Sequence, residues 1–254
     1  MITIDGRMGE GGGQILRSSL SLSLITGLPF TISNIRSGRQ KPGLSAQHLK
    51  AVLLSQKISL AQVYGAEPGS NKLTFIPQTI RSDNYQSNIG TAGSTSLVLQ
   101  TLYLPLSFAS KSSTINLVGG THVPFAPTFD WLKLHWMNFL ELVGFNLVLD
   151  LEFAGFYPRG GGRIRTKINP VDQLIGLQLS ERGSLKQIRG ISSVANLNRK
   201  IAERQREQVV RRLGARFPLN DIRIKQLPSK SKGTSLILIC DFENTQCCYS
   251  ALGA

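Results

Sequence analysis

The chain has 254 residues, 41% of them hydrophobic, with three cysteines and a formal net charge of +14. That composition belongs to a globular protein with room for one large domain or two smaller ones, and no apolar run approaches the roughly 18 residues that a membrane span needs. Cys240, Cys247 and Cys248 make neither a disulfide framework nor a CxxC metal spacing, and they suit a reducing compartment.

The opening residues, MITIDGRMGE, alternate as a strand and carry neither the basic nor the apolar region of a secretory signal, so a cytoplasmic location is expected. The loop GEGGGQ follows. It lacks the Gly-Lys-Ser/Thr ending of a P-loop, and Gln14 stands where a dinucleotide fingerprint needs its third glycine. Two readings stay open at this point: a tight turn that needs positive φ, or a loop that presents a helix N-terminus to an anion. Glu10 is ill placed to meet a phosphate itself and well placed to hold a divalent metal that meets one. Arg17, three residues after Gln14, shares a helix face with it.

Next comes RSGRQKPGL, which gathers Arg36, Arg39 and Lys41 at a second strand-to-helix junction. Two arginine-bearing junctions in one layer make a phosphate clamp, because the guanidinium fork matches phosphate geometry. Residues 44–58 read as a helix and 73–80 as a strand. A second small-residue loop ends at Gly93, 80 residues after Gly13, and begins another apolar run. In that run Gln100 is a bare amide that is expensive to bury. A helix is predicted at 129–144 and a strand at 145–153. The pattern is β-α-β-α-β-β, twice, which predicts an α/β (α+β) protein with helices covering one face of mixed sheets. His48 and His135 fall on helical faces as packing residues. His122, in GGTHVP, is expected near a pocket.

The chain changes character after FYPRGGGRIRTKINPV (156–171). Between Glu181 and Lys232 there are fourteen basic and four acidic residues, against fifteen and eleven elsewhere. Concentrated positive charge is the footprint of a polyanion partner. Its centre is a predicted helix at 199–214, with Gly214 as its C-terminal cap and Arg199, Lys200, Arg204, Arg211 and Arg212 as candidate nucleic-acid contacts. LILICDF reads as a buried strand, and the tail CYSALGA as the start of a turn. The predicted division is a large domain at 1–179 and a smaller α/β module at 180–254.

Five stretches in order, GEGGGQILRSSLSLSLITG, IRSGRQKPGLSAQHL, GTAGSTSLVLQT, GGTHVPFAPTFDWL and GFYPRGGG, together resemble the RNA 3′-terminal phosphate cyclases. The resemblance implies a large domain of three βαβαββ units with a smaller module inserted before the third. It implies ATP and a divalent metal, magnesium or manganese, as cofactors, and an RNA bearing a 3′-phosphate as partner. Position by position, Glu10 is similar to the family's metal-contacting acid. Arg17, Arg39 and Gln47 are similar to its triphosphate contacts, Gln100 to a nucleotide contact, and Pro127 with Trp131 to the adenosine-side wall. The family's nucleophilic histidine belongs to the third unit, which by this reading lies beyond Ala254. The expectation is therefore a shortened member, inactive alone, whose missing unit a second chain could supply. A non-catalytic, cyclase-like RNA-binding protein of ribosome assembly is the alternative, and an enolpyruvyl transferase a more remote one.

Overall fold

A computed structural model of the chain describes residues 1–253; the predicted module's last residue, Ala254, lies outside them. The first unit runs β1 (Ile2–Asp5), α1 (Gln14–Thr26), β2 (Phe30–Ser33), α2 (Ala46–Ser59), β3 (Gln62–Tyr64) and β4 (Leu73–Ile76). The second runs β5 (Asn84–Asn88), α3 (Thr95–Ser107), β6 (Ser113–Gly119), a three-part helix, β7 (Leu147–Phe153) and β8 (Gly162–Ile168). Its helix consists of α4 (Phe129–Trp131), a π-helical turn (Leu132–Trp136) and α5 (Met137–Leu142). Both units build the same sheet: order β1-β2-β4-β3 in one and β5-β6-β8-β7 in the other, each with one parallel pair followed by antiparallel ones.

Alternation in the strands explains how each sheet is used. In β6 the residues Ser113, Ile115, Leu117 and Gly119 are buried, while the intervening ones are not. One face therefore meets helices and the other meets water. The helices of the two units pack on one another, α1 and α2 against α3. A single apolar cluster accordingly runs from Leu16 and Leu20 through Val98 and Leu102 to Ile164 and Ile168. Neither unit closes its core alone.

The third sheet comprises β9 (Leu185–Ala195), β10 (Leu219–Gln226), β11 (Gly233–Phe242) and β12 (Gln246–Gly253) in the order β10-β9-β11-β12, with α6 (Lys200–Leu213) crossing between the parallel pair β9 and β10. The tail expected to be only the start of a turn is instead a full edge strand, paired antiparallel to β11 from Gln246 to Gly253. Gly214 does follow the basic helix, but at φ −60° it continues the right-handed turn and does not adopt the left-handed cap. The strand expected at 73–80 stops at Ile76, because Pro77 cannot extend the ladder.

The predicted helix at 129–144 contains a π-helical turn, in which Met137 N–H reaches back to the Leu132 carbonyl, and Gln246 of β12 donates its Nε2 to the carbonyl of Leu134, 2.8 Å away. No helix among the described residues is long and apolar enough to cross a membrane.

Candidate functional site

The loop before α1 and the loop before α2 are packed face to face. Gly38 donates its backbone N–H to the carbonyl of Gly11 at 3.1 Å. A Cβ on Gly38 would sit 2.4 Å from the Glu10 carbonyl, so only glycine permits this approach. Behind them His48 of α2 lies against Gly13, with its Nδ1 hydrogen-bonded to Ser45 Oγ at 2.6 Å. Burial, with help from Arg36 and Arg17, pulls the His48 pKa down to about 3, so its ring is neutral. The two open readings of the glycine loop thus merge. The glycines allow close packing, and the packing leaves a helix end without a cap. Gly13 makes no side-chain cap, and no acid stands in the first turn of α1. The first N–H groups of α1 therefore face an anion's natural position.

Arg17 is the centre of the site. It is 8% exposed, its Nη2 donates to Gln14 Oε1 at 2.6 Å, and its Nε is buried with no partner. Burial lowers its pKa to about 10, which leaves it a cation at neutral pH. No carboxylate pairs with it among the described residues. A buried, uncompensated cation is costly unless an anion completes it. It opens onto a cleft of about 240 Å³ between α1 and α3, lined also by Gln14, Ser18, Ser21, Gln100 and Tyr103. Gln14, Arg17, Ser18 and Ser21 recur at helical spacing, a polar stripe that could have been read from the sequence beyond the Gln14–Arg17 pair.

Gln100 lines this cleft but is exposed, so the argument from costly burial of its amide does not hold. It projects from the wet side of α3. One turn earlier the buried Ser96 donates its Oγ to the Pro127 carbonyl at 2.8 Å, which ties the Pro127–Trp131 segment to the start of α3. Trp131 is half-buried and stands edge-on to His135.

Glu10 and Arg39 meet at 3.2 Å in an exposed pair, which holds neither strongly. Arg39 also lies over Gly12, its Nη2 at 3.0 Å from where a Cβ would be. Arg36, by contrast, donates Nη1 to the carbonyls of Lys41 and Gly43 and braces its own loop. Gln47 Oε1 accepts from the backbone N–H of Ser94 at 2.7 Å, clamping the first unit to the start of α3. His122 is not pocket-lining. It is 1% exposed, with Nδ1 on Thr121 Oγ1, Nε2 on Asp130 Oδ2 and its ring stacked on Phe156.

Arg199, Lys200, Arg204, Arg211 and Arg212 are all exposed, at or along α6. Their field is diluted, since Arg199 pairs with Glu203 and Glu207 lies between. Among the described residues no three of His, Cys, Asp and Glu cluster as a metal cage. A lone exposed carboxylate suits a magnesium-type ion held chiefly by phosphate oxygens and water, and does not suit an all-protein site.

Compared with known proteins, residues 8–248 match the family model described as RNA 3′-terminal phosphate cyclase. The chain is 49% identical over 214 residues to an RNA 3′-terminal phosphate cyclase of Koribacter versatilis (strain Ellin345). That alignment covers 84% of this chain and 60% of the relative, so the chain matches less than two thirds of that protein's length.

Proposed function

The chain belongs to the RNA 3′-terminal phosphate cyclase family, and from that premise we propose that its α1/α3 cleft holds ATP for converting an RNA 3′-terminal phosphate to a 2′,3′-cyclic phosphate. The observation that carries this reading is the buried Arg17, with no carboxylate and no partner at Nε, near the uncapped start of α1. In this reading Arg17 and the N-terminal N–H groups of α1 bind the triphosphate. Arg39 swings from Glu10 onto it, and Gln100 contacts the nucleotide beside Pro127 and Trp131. Glu10 would hold magnesium or manganese, whose charge neutralises the triphosphate when bound.

The RNA 3′-phosphate takes AMP from ATP, with release of pyrophosphate. The adjacent 2′-hydroxyl oxygen then attacks that phosphorus, its proton passes to solvent, and the bond to AMP breaks. The family resemblance routes AMP through a histidine. None of the three histidines of this chain lines the α1/α3 cleft: His48 is packed on Gly13, His122 is enclosed with both ring nitrogens bound, and His135 stands edge-on to Trp131 with its Nδ1 3.3 Å from Gln246 Nε2. That observation favours a second reading, in which the chain binds nucleotide and RNA without forming a covalent adduct.

Incubation with ATP labelled at the α-phosphate and with 3′-phosphorylated RNA separates the two. An acid-labile protein–AMP adduct supports catalysis by this chain, and retention of both ligands without an adduct supports the second reading. Failure to retain nucleotide contradicts both.

A further inference from the structure

The stretch FYPRGGG is not used by the nucleotide cleft. It forms one wall of a second, separate cleft of about 430 Å³, at the seam between the second and third sheets. The loop is bolted to residues 228–231 at several points. Ala154 N–H donates to the Pro228 carbonyl, Ser229 Oγ donates to the Ala154 carbonyl, and Phe156 N–H donates to Ser231 Oγ, all within 2.8 Å. Ala154 and Phe156 are buried beneath, in a small apolar cluster with Ala195. Asn196 ties down the opposite wall by donating to the carbonyls of Ser229 and Ser231.

On that rigid base four large side chains stand out into water. Tyr157 is 66% exposed, and Arg159, Lys230 and Lys232 are exposed around it. Arg159 is held in place by Nη1 on the Lys230 carbonyl at 2.8 Å, leaving its other N–H groups free to bind. No carboxylate forms an ion pair with any of the three cations among the described residues, in contrast to the mixed charges of α6. An exposed ring ordered among uncompensated cations is the arrangement that stacks an unpaired base and neutralises its flanking phosphates.

The same loop also touches the loop before α3. Gly160 approaches Ala92 so closely that a Cβ would lie 2.7 Å from its Cα. Ala92 precedes Ser94, whose N–H is held by Gln47.

We propose that this seam is a subsite for single-stranded RNA, with one base on Tyr157 and the adjoining phosphates on Arg159, Lys230 and Lys232. It rests on the RNA-acting reading above and adds where the strand lies.

The test is fluorescence anisotropy of the chain with a 5′-labelled, 3′-phosphorylated RNA dodecamer across a series of salt concentrations. Tyr157→Ala should weaken binding about tenfold with the salt slope unchanged, and Tyr157→Trp should restore it. Lys230→Gln with Lys232→Gln should flatten the slope by about 1.4, since each single-strand phosphate contact contributes about 0.7. Arg204→Gln with Arg211→Gln on α6 should change little. If the seam variants bind as the parent does and the α6 variant loses affinity, the seam proposal is overturned while the RNA reading stands. If the parent chain binds no RNA at low salt, both are overturned.

Discussion

Replacing Gly13 by alanine is predicted to destabilise the protein through one collision. At φ −80° and ψ −9° the Gly13 backbone is open to any L-residue, so no conformational strain is involved. The added methyl would lie 1.9 Å from His48 Nε2 and 2.8 Å from its Cδ2. The imidazole cannot simply turn aside, because it is 7% exposed and its Nδ1 is held by Ser45. Breaking that hydrogen bond costs about 1 kcal/mol, and overpacking adds about 1–3 kcal/mol. Alanine recovers about 0.4–1 kcal/mol by restricting the unfolded chain, so the net loss is about 2 kcal/mol. Urea denaturation followed by circular dichroism measures it, with Gly13→Ala made in both the parent and a His48→Ala background. In the second background the substitution should instead stabilise by about 0.4–1 kcal/mol, because its obstacle is gone and only the restriction of the unfolded chain is left. Equal costs in the two backgrounds would refute the packing argument. As a control, Gly27→Ala meets no neighbour and carries only the strain of φ +72°, so its cost should not depend on His48.

Three further outcomes are expected. Arg39→Ala should weaken ATP binding about tenfold, the lower end for a charge-assisted contact because half of this side chain is in water; titration calorimetry would show it. Glu10→Gln should abolish the gain in ATP affinity that magnesium gives and leave metal-free binding intact, which parallel titrations with and without chelator resolve. The third concerns pH. His48 is neutral in the fold, at about 3, and protonates near 6.5 once unfolded. The unfolded state therefore binds the extra proton between those values, so stability is full above pH 6.5 and falls as pH drops toward 3, by up to about 1.4 kcal/mol per pH unit. Denaturation midpoints of the parent should decline more steeply below pH 6.5 than those of His48→Gln.

Local pattern made the repeated unit legible. Alternating burial in the strands, helical spacing, and glycine loops 80 residues apart are all short-range signals. Glu10, Arg17 and Arg39 stand out in the sequence because charged side chains are dense at the glycine-rich junctions, and the structure brings Glu10 and Arg39 together. Other positions were misread where burial decides, since burial depends on partners distant in the chain. Gln100 sits in an apolar run yet faces water, because α3 turns its other faces to the core. His122 lies in a polar loop yet is enclosed by Asp130 and Phe156. The last strand reads as a turn until β11 is there to pair with it, and the hydrogen bond from Gln246 to the Leu134 carbonyl joins residues more than a hundred positions apart. The seam cleft could not be read at all, because Arg159 and Lys230 meet only in the fold.

The claim that matters most is that Arg17 awaits a nucleotide's phosphates. Calorimetric titration of ATP with magnesium into the parent chain and into Arg17→Gln tests it directly, with circular dichroism confirming that both are folded. The parent should bind ATP saturably and the variant at least tenfold more weakly, the scale of a charge-assisted contact made in a buried setting. Equal affinity in the two proteins would contradict it, and so would a parent that binds no ATP.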